Sequence, residues 1–239
     1  MKKKIILIVV LLIIVAAVYF LLIHKKESIY VGTVEVTKVD ITPRLSSVIA
    51  KLNVDEGAQV KKDDPLFTLT CEDVKLKKDT LEKDFARGKK LFSSGTITQE
   101  AFDHIKAEYD DVSIKLDWCS VKSPLDGTVL DKYREDGELV SPSTKVVTIG
   151  DLNTVYAYVY VEHEMMSKLK LNQNVKGLLP EQKMKVVNGV ITHINDEAEF
   201  TPKNVQTREE RTRLVYGIKV TFENKDRVLK PGMPVEVEF

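Results

Sequence analysis

The sequence predicts a mainly β chain with an inserted α-helical hairpin and an apolar N-terminal segment. Three observations carry this. Residues 5–23 contain no charge, two half-motifs of about 27 residues repeat along the chain, and between them the apolar period changes from that of strands to that of helices.

Met1 is followed by Lys2, Lys3 and Lys4, then by nineteen uncharged residues, and His24, Lys25 and Lys26 close the run. Nineteen helical residues rise roughly 28 Å at about 1.5 Å each, close to the ~30 Å hydrocarbon core of a bilayer. A secretory signal has a shorter apolar core and a small-x-small cleavage site, whereas Ala16 and Ala17 lie deep inside this run. The expectation is an uncleaved transmembrane anchor over residues 1–24, with a cleaved signal as the alternative. A short positive tail stays in the cytoplasm and puts the bulk of the chain outside.

Over the 239 residues, 36 basic side chains balance 36 acidic ones. That removes any bulk electrostatic drive toward nucleic acid. Cys71 and Cys119 are the only cysteines, so a disulfide-rich scaffold and a Cys-cluster zinc site are excluded. Four scattered histidines argue against a His-based metal site.

The first half-motif runs from Pro43 through Val48, Lys51, Glu56-Gly57 and Val60 to Thr68-Leu69. The second runs from Pro124 through Val129, Lys132, Asp136-Gly137 and Val140 to Thr148-Ile149. The offset is 81 residues up to the lysines and 80 after the glycines. Each copy reads as short strands punctuated by Pro and an acidic-Gly turn. Gly57 and Gly137 supply a positive φ that a Cβ would penalise. Neither half can bury a core alone, so the two are expected to pack as one pseudo-symmetric sandwich.

Between the halves, Val74, Lys78, Leu81, Phe85, Gly88 and Phe92 step by four and three, and so do Phe102, Ile105, Tyr109, Val112 and Leu116. These are two heptad seams joined at Ser93-Ser94-Gly95, an antiparallel coiled-coil hairpin. Thr96 or Thr98 caps the second helix, with Glu100 favourable in its first turn. After Asp151, residues 155–161 alternate with three tyrosines on one face, residues 162–169 suit a short helix, and 186–194, 214–222 and 234–239 read as strands. Gly232 closes a turn before the last of them. Several short strands with one helix predict a small β-barrel. Residues 201–213 are polar and predict an exposed loop.

The order anchor, half-motif, helical hairpin, half-motif, barrel resembles the HlyD-type membrane fusion proteins, the periplasmic adaptors of tripartite efflux and secretion systems. The motifs that carry the resemblance are Ser123-Pro-Leu-Asp-Gly-Thr-Val129, with Gly127 as a structural turn, and Leu229-Lys-Pro-Gly-Met233. Residues 198–203 and 205–211 look like adaptors that serve ABC-type exporters. The resemblance implies 1–24 as anchor, 25–40 as linker and first strand, and 41–71 and 119–150 as the halves of a lipoyl-like β-sandwich. It implies 72–118 as the hairpin and 151–239 as the β-barrel. It further implies a non-catalytic subunit without cofactor, held in the inner membrane by a single span with its bulk in the periplasm. Its partners would be an inner-membrane exporter, a TolC-like outer-membrane channel and further copies of itself, six by the family's habit. The chain stops soon after Met233, which tilts the exporter toward the ABC type, with the RND type as alternative.

In that family the hairpin tip carries Arg, Leu four residues on and Ser seven further. Arg87, Leu91 and Thr98 have that spacing, with Thr keeping the hydroxyl. Arg87 also reads as a solvated helix charge and Leu91 as a seam residue. Departures from the pattern are Ser47, Asp64 and Asn172 where glycines are usual.

Two other function classes compete. A lipoyl or biotinyl carrier needs a reactive Lys on a tight turn between the halves, and here that turn is replaced by helix. An envelope metal receptor could use His163, Glu164, Met165 and Met166, but they make an incomplete ligand set, and methionines there more often fill core. No Ser/His/Asp set or Gly-rich phosphate loop appears. Cys71 and Cys119 lie where the chain enters and leaves the hairpin. An oxidising compartment permits a disulfide. Strand parity, however, sets them diagonally beyond the ~7 Å Cα limit, and free thiols are the expectation.

Overall fold

The computed structural model describes residues 29–182, 184–200 and 214–239. The anchor expected over 1–24 and the loop expected over 201–213 lie outside them. Among the described residues no helix is long and apolar enough to cross a membrane.

The first half contributes β1 (Ile29–Ile41), β2 (Ser47–Leu52), β3 (Gln59–Val60) and β4 (Pro65–Leu69). Helices α1 (Glu72–Ser93) and α2 (Gln99–Asp117) follow. Then come β5 (Ser120–Lys122), β6 (Gly127–Lys132), β7 (Leu139–Val140) and the long β8 (Val147–Glu162). The remainder is α3 (His163–Met166), β9 (Asn174–Leu179), a 3₁₀ turn (Pro180–Gln182), β10 (Lys185–Ile194), β11 (Glu199–Phe200), β12 (Leu214–Glu223) and β13 (Pro234–Glu238). The chain divides into two compact units.

One unit holds residues 36–154 and 225–227. Its sheet β5-β4-β2-β7 faces β3 and β6 with the adjoining parts of β8 and β1. The two halves are related residue by residue through a shift of 80. Gly57 N donates to Val129 O at 2.8 Å and Val129 N to Ala58 O at 2.9 Å; Gly137 N donates to Ile49 O at 2.8 Å and Ile49 N to Glu138 O at 2.9 Å. Leu52 N donates to Asp136 Oδ1, and Lys132 N to Glu56 Oε1. Each half therefore builds its turn onto a strand of the other, and neither completes its hydrogen bonding alone.

The same shift corrects the sequence alignment, which paired Val48 with Val129. Both β2 and β6 carry a bulge, between Ile49 and Lys51 and between Val129 and Asp131. Ile49 and Val129 are the equivalent residues, each 1% exposed, whereas Val48 faces outward. The core is made of such pairs: Ile49 with Val129, Val60 with Val140, Leu66 with Val146, Phe67 with Val147, and Leu69 with Ile149. Gly57 and Gly137 have φ of 83° and 85°. Gly127, expected in a turn, instead opens β6. A Cβ there would meet Ile149 Cγ2 at 2.7 Å and Gly150 O at 2.9 Å, so close approach excludes it. Of the expected glycine replacements, Ser47 begins β2, and the left-handed residue beside Asp64 is Asp63, at φ 70°.

The cysteine expectation is overturned. Cys71 and Cys119 form a disulfide with Cα atoms 6.2 Å apart. Strand parity does not apply, because neither residue sits in a ladder. Cys71 is the N-cap of α1, and Cys119 follows Trp118, the C-cap of α2. The hydrogen bond from Leu69 N to Cys119 O at 2.8 Å brings the two chain crossings together. Both sulfurs belong to the sandwich core, with Val74 and Leu116 packed against it.

The other unit holds residues 29–35, 155–224 and 228–239. Six strands close into a barrel in the order β8-β1-β13-β9-β10-β12 and back to β8, with β11 added on β12. Val155, Ala157, Val159 and Val161 point inward from β8, and Tyr156, Tyr158 and Tyr160 alternate with them, half-buried on the other face. Phe222 fills a nook between two glycines: a Cβ on Gly177 or Gly189 would meet its Cε1 at 2.7 or 2.5 Å. No strand was expected over β9, which carries Gly177. Here glycine is required by the ring above it. Asn172 adopts φ 64°, a left-handed position that Asn tolerates, and Gly232 has φ 90°.

Candidate functional site

The hairpin is held by its seam. Phe85 stacks on Phe102 and Tyr109 with ring centroids 5.7 and 5.0 Å away, and Phe92 stacks on Phe102 at 5.1 Å. Gly88 is buried because Ile105 lies against it, 2.9 Å from where a Cβ would stand. Val112 is 1% exposed. These are seam positions of the heptad reading.

The tip is closed by backbone hydrogen bonds. Gly95 N donates to Phe92 O at 2.9 Å and Thr96 N to Leu91 O at 2.8 Å, with Gly95 at φ 71°. This pair of bonds and the left-handed glycine form a Schellman motif, which satisfies the last carbonyls of α1. Ser93 and Ser94 hydroxyls donate to Lys90 O and Leu91 O, and Ser94 Oγ lies 2.8 Å from Thr96 Oγ1. Thr98 is the N-cap of α2 and accepts from Ala101 N at 3.2 Å.

Arg87 and Leu91 are four residues apart on α1 and share one side of the helix. Arg87 is 70% exposed and pairs with Asp84 at 3.3 Å. Leu91 is 37% exposed, and Thr98 is exposed across the turn. Thus Arg87 and Leu91 lie on the last two turns of one helix and Thr98 at the N-cap of the other. Asp84 was missed from the sequence, although an i,i+3 carboxylate ahead of an arginine signals such a pair. The tip offers a guanidinium, an apolar side chain and several hydroxyls on a rigid support. It offers no nucleophile with an adjacent base.

His163 begins the four-residue α3, its ring 6.0 Å from that of Tyr216. Met165 and Met166 are half-buried. Among the described residues no three His, Cys, Asp or Glu side chains converge to hold a metal.

A model of the CzcB-like, barrel-sandwich hybrid domain matches residues 37–151, the segment that holds the sandwich and the hairpin. A UPF0194 membrane protein from the asrC 5′ region of Acidithiobacillus ferridurans is 37% identical over 117 residues, 49% of this chain and 35% of that protein. The matched part thus spans about a third of that relative's length. Among solved structures, a MacA–MexA chimera containing the α-hairpin domain of Pseudomonas aeruginosa MexA superposes with a TM-score of 0.70 at 22% identity, over 89% of this chain and 81% of that one. The membrane fusion protein Spr0693 of Streptococcus pneumoniae R6 gives 0.67 at 18% identity, over 88% and 97%. Residues 37–151 are thus similar to the CzcB-like barrel-sandwich hybrid domain, and the chain shares its fold with the MacA–MexA chimera and with the membrane fusion protein Spr0693.

Proposed function

We propose that this chain is a non-catalytic periplasmic adaptor that links an inner-membrane exporter to a TolC-like outer-membrane channel. Residues 1–24 anchor it as a single inner-membrane span, and copies assemble side by side. An ABC-type exporter is favoured over an RND-type one, on the resemblance of residues 198–203 and 205–211 to adaptors of that class. The exposed Arg87, Leu91 and Thr98 at a capped, rigid hairpin end carry the reading.

Arg87 brings a planar donor fork suited to a partner's carboxylates or carbonyls. Leu91 brings an apolar anchor. Thr98 accepts from its own helix and has a hydroxyl proton to donate. The pair of Arg87 with Asp84 is exposed and of little strength, about 1 kcal/mol at most, so a partner can displace it. A desolvated charged contact or apolar anchor is worth about 2 kcal/mol or more when lost.

Arg87→Asp is expected to abolish export in cells and capture of the outer-membrane channel, with protein level, membrane insertion and exporter capture unchanged. Thr98→Ser keeps the cap and is expected to export normally. Normal export and channel capture by Arg87→Asp would overturn the docking role of the tip.

A further inference from the structure

The hairpin leaves the sandwich through two adjacent chain crossings, and one disulfide joins them. Cys71 is the N-cap of α1, and its side chain makes no capping hydrogen bond to the helix. Cys119 follows the C-cap of α2. The bridge therefore ties the first turn of one helix to the end of the other, with the two residues 2% and 7% exposed. A helix start whose N–H groups lack a side-chain cap frays unless something else holds it.

Packing holds the tip half of the hairpin better than the base. The stacked rings Phe85 with Tyr109 and Phe92 with Phe102 lie toward the tip, and the buried helix residues are Gly88 and Val112. Nearer the sandwich the seam runs through Lys78, which is half-buried and keeps its ammonium in water. Val74 and Leu116 are the hairpin residues packed on the sandwich core. Leu76, between Val74 and Lys78, is 69% exposed. At about 1.5 Å per residue the tip stands roughly 33 Å from Cys71, so a tilt of about 10° at the base moves it by roughly 6 Å.

We infer that the Cys71–Cys119 pair is a redox-set lock on the hairpin: the reduced chain folds its sandwich but leaves the hairpin base open, and oxidation fixes the tip for docking. Reduced cysteines still serve as small apolar core residues, so the paired sandwich core persists without the bond. The first turn of α1 and the last of α2 then open locally. The oxidant is the disulfide of an external thiol carrier. One cysteine thiolate attacks a sulfur of that disulfide and releases one carrier thiolate. The other cysteine thiolate attacks the mixed disulfide and releases the second. Two electrons pass to the carrier, and the two thiol protons end on its sulfurs. Burial keeps reductants from the closed bridge, so the lock is set once, on arrival in an oxidising compartment. The inference rests on the adaptor reading for that compartment and for what the tip docks on.

The test takes the full chain, made in a reducing cytoplasm and held in detergent with dithiothreitol, and the same chain after oxidation by glutathione disulfide. Alkylation counts the thiols in each form. Cys71→Ala with Cys119→Ala gives a second, permanently open form. At labelling times of seconds to minutes, hydrogen exchange in residues 72–79 and 110–118 is expected to be at least tenfold faster in both open forms, with β6 and β8 protected in all three. The oxidised chain is expected to capture a TolC-like channel at least tenfold better than the reduced one, and oxidation to restore capture. Equal exchange at the hairpin base, loss of protection in β6 and β8 together with the base, or equal capture by the reduced and oxidised chains would each overturn the lock. If no form captures the channel while the base exchange still differs, tip docking fails and the redox control of the base stands.

Discussion

At Asp40 one carboxylate takes two partners. Lys145 Nζ pairs with it, and the Thr148 hydroxyl donates to it at 2.7 Å. The lysine, and then the threonine, hold its carboxyl below the ordinary range despite some desolvation. The ionised form is therefore favoured in the folded chain. Its contribution is fully present above the unfolded carboxylate's pKa and is lost as pH falls through the folded one. The pair is largely exposed, so its contribution is small. Asp40→Asn is expected to lower the urea midpoint slightly at neutral pH, and the gap from the native chain should close on acidification. A gap that stays constant with pH would show that charge is not what Asp40 contributes. Nothing in the sequence marked this residue, since its partner lies 105 positions away and meets it only through the sandwich.

At the scale of elements, what was legible followed from period. The seam from Val74 to Leu116 could be read because heptad spacing fixes which side of a helix is buried. Arg87, Leu91 and Thr98 were singled out by the family resemblance alone; what the residues themselves showed was the Ser93-Ser94-Gly95 break that puts a turn between them. Strand β9 and the bonded cysteines could not be read. The first hides its glycine under Phe222, and the second depends on helix ends where strand parity has no meaning. The disulfide joins the N-terminus of one hairpin helix to the C-terminus of the other across 48 residues. It restricts the unfolded chain, and its removal is expected to cost about 2–4 kcal/mol. Cys71→Ser with Cys119→Ser should therefore unfold at lower denaturant. The non-reduced native chain should weigh two hydrogens less than the reduced one. Full alkylation of both cysteines in the native, non-reduced chain would refute the bridge.

On the scale of the molecule, the chain builds two cores by different means. The sandwich core is a set of pairs repeated at a shift of 80, so each half is the other's template. The barrel core has no such repeat and is keyed by one ring, since Phe222 packs directly against Gly177 and Gly189. A methyl at Gly189 would lie 2.5 Å from Phe222 Cε1 and 2.8 Å from Val220 Cγ1, with the fully buried ring unable to turn aside. Overpacking of this kind costs roughly 1–3 kcal/mol. The strain falls on residues 155–224, whereas residues 36–154 keep their paired core and their disulfide. Stability is not uniform when cores are separate. Gly189→Ala is therefore expected to raise hydrogen exchange in β9, β10 and β12 and leave β2, β4 and β6 protected, as read by mass spectrometry of peptides. Equal loss of protection in both sets would mean that the two cores unfold as one cooperative body, and that the glycine nook supports the whole chain rather than the barrel alone.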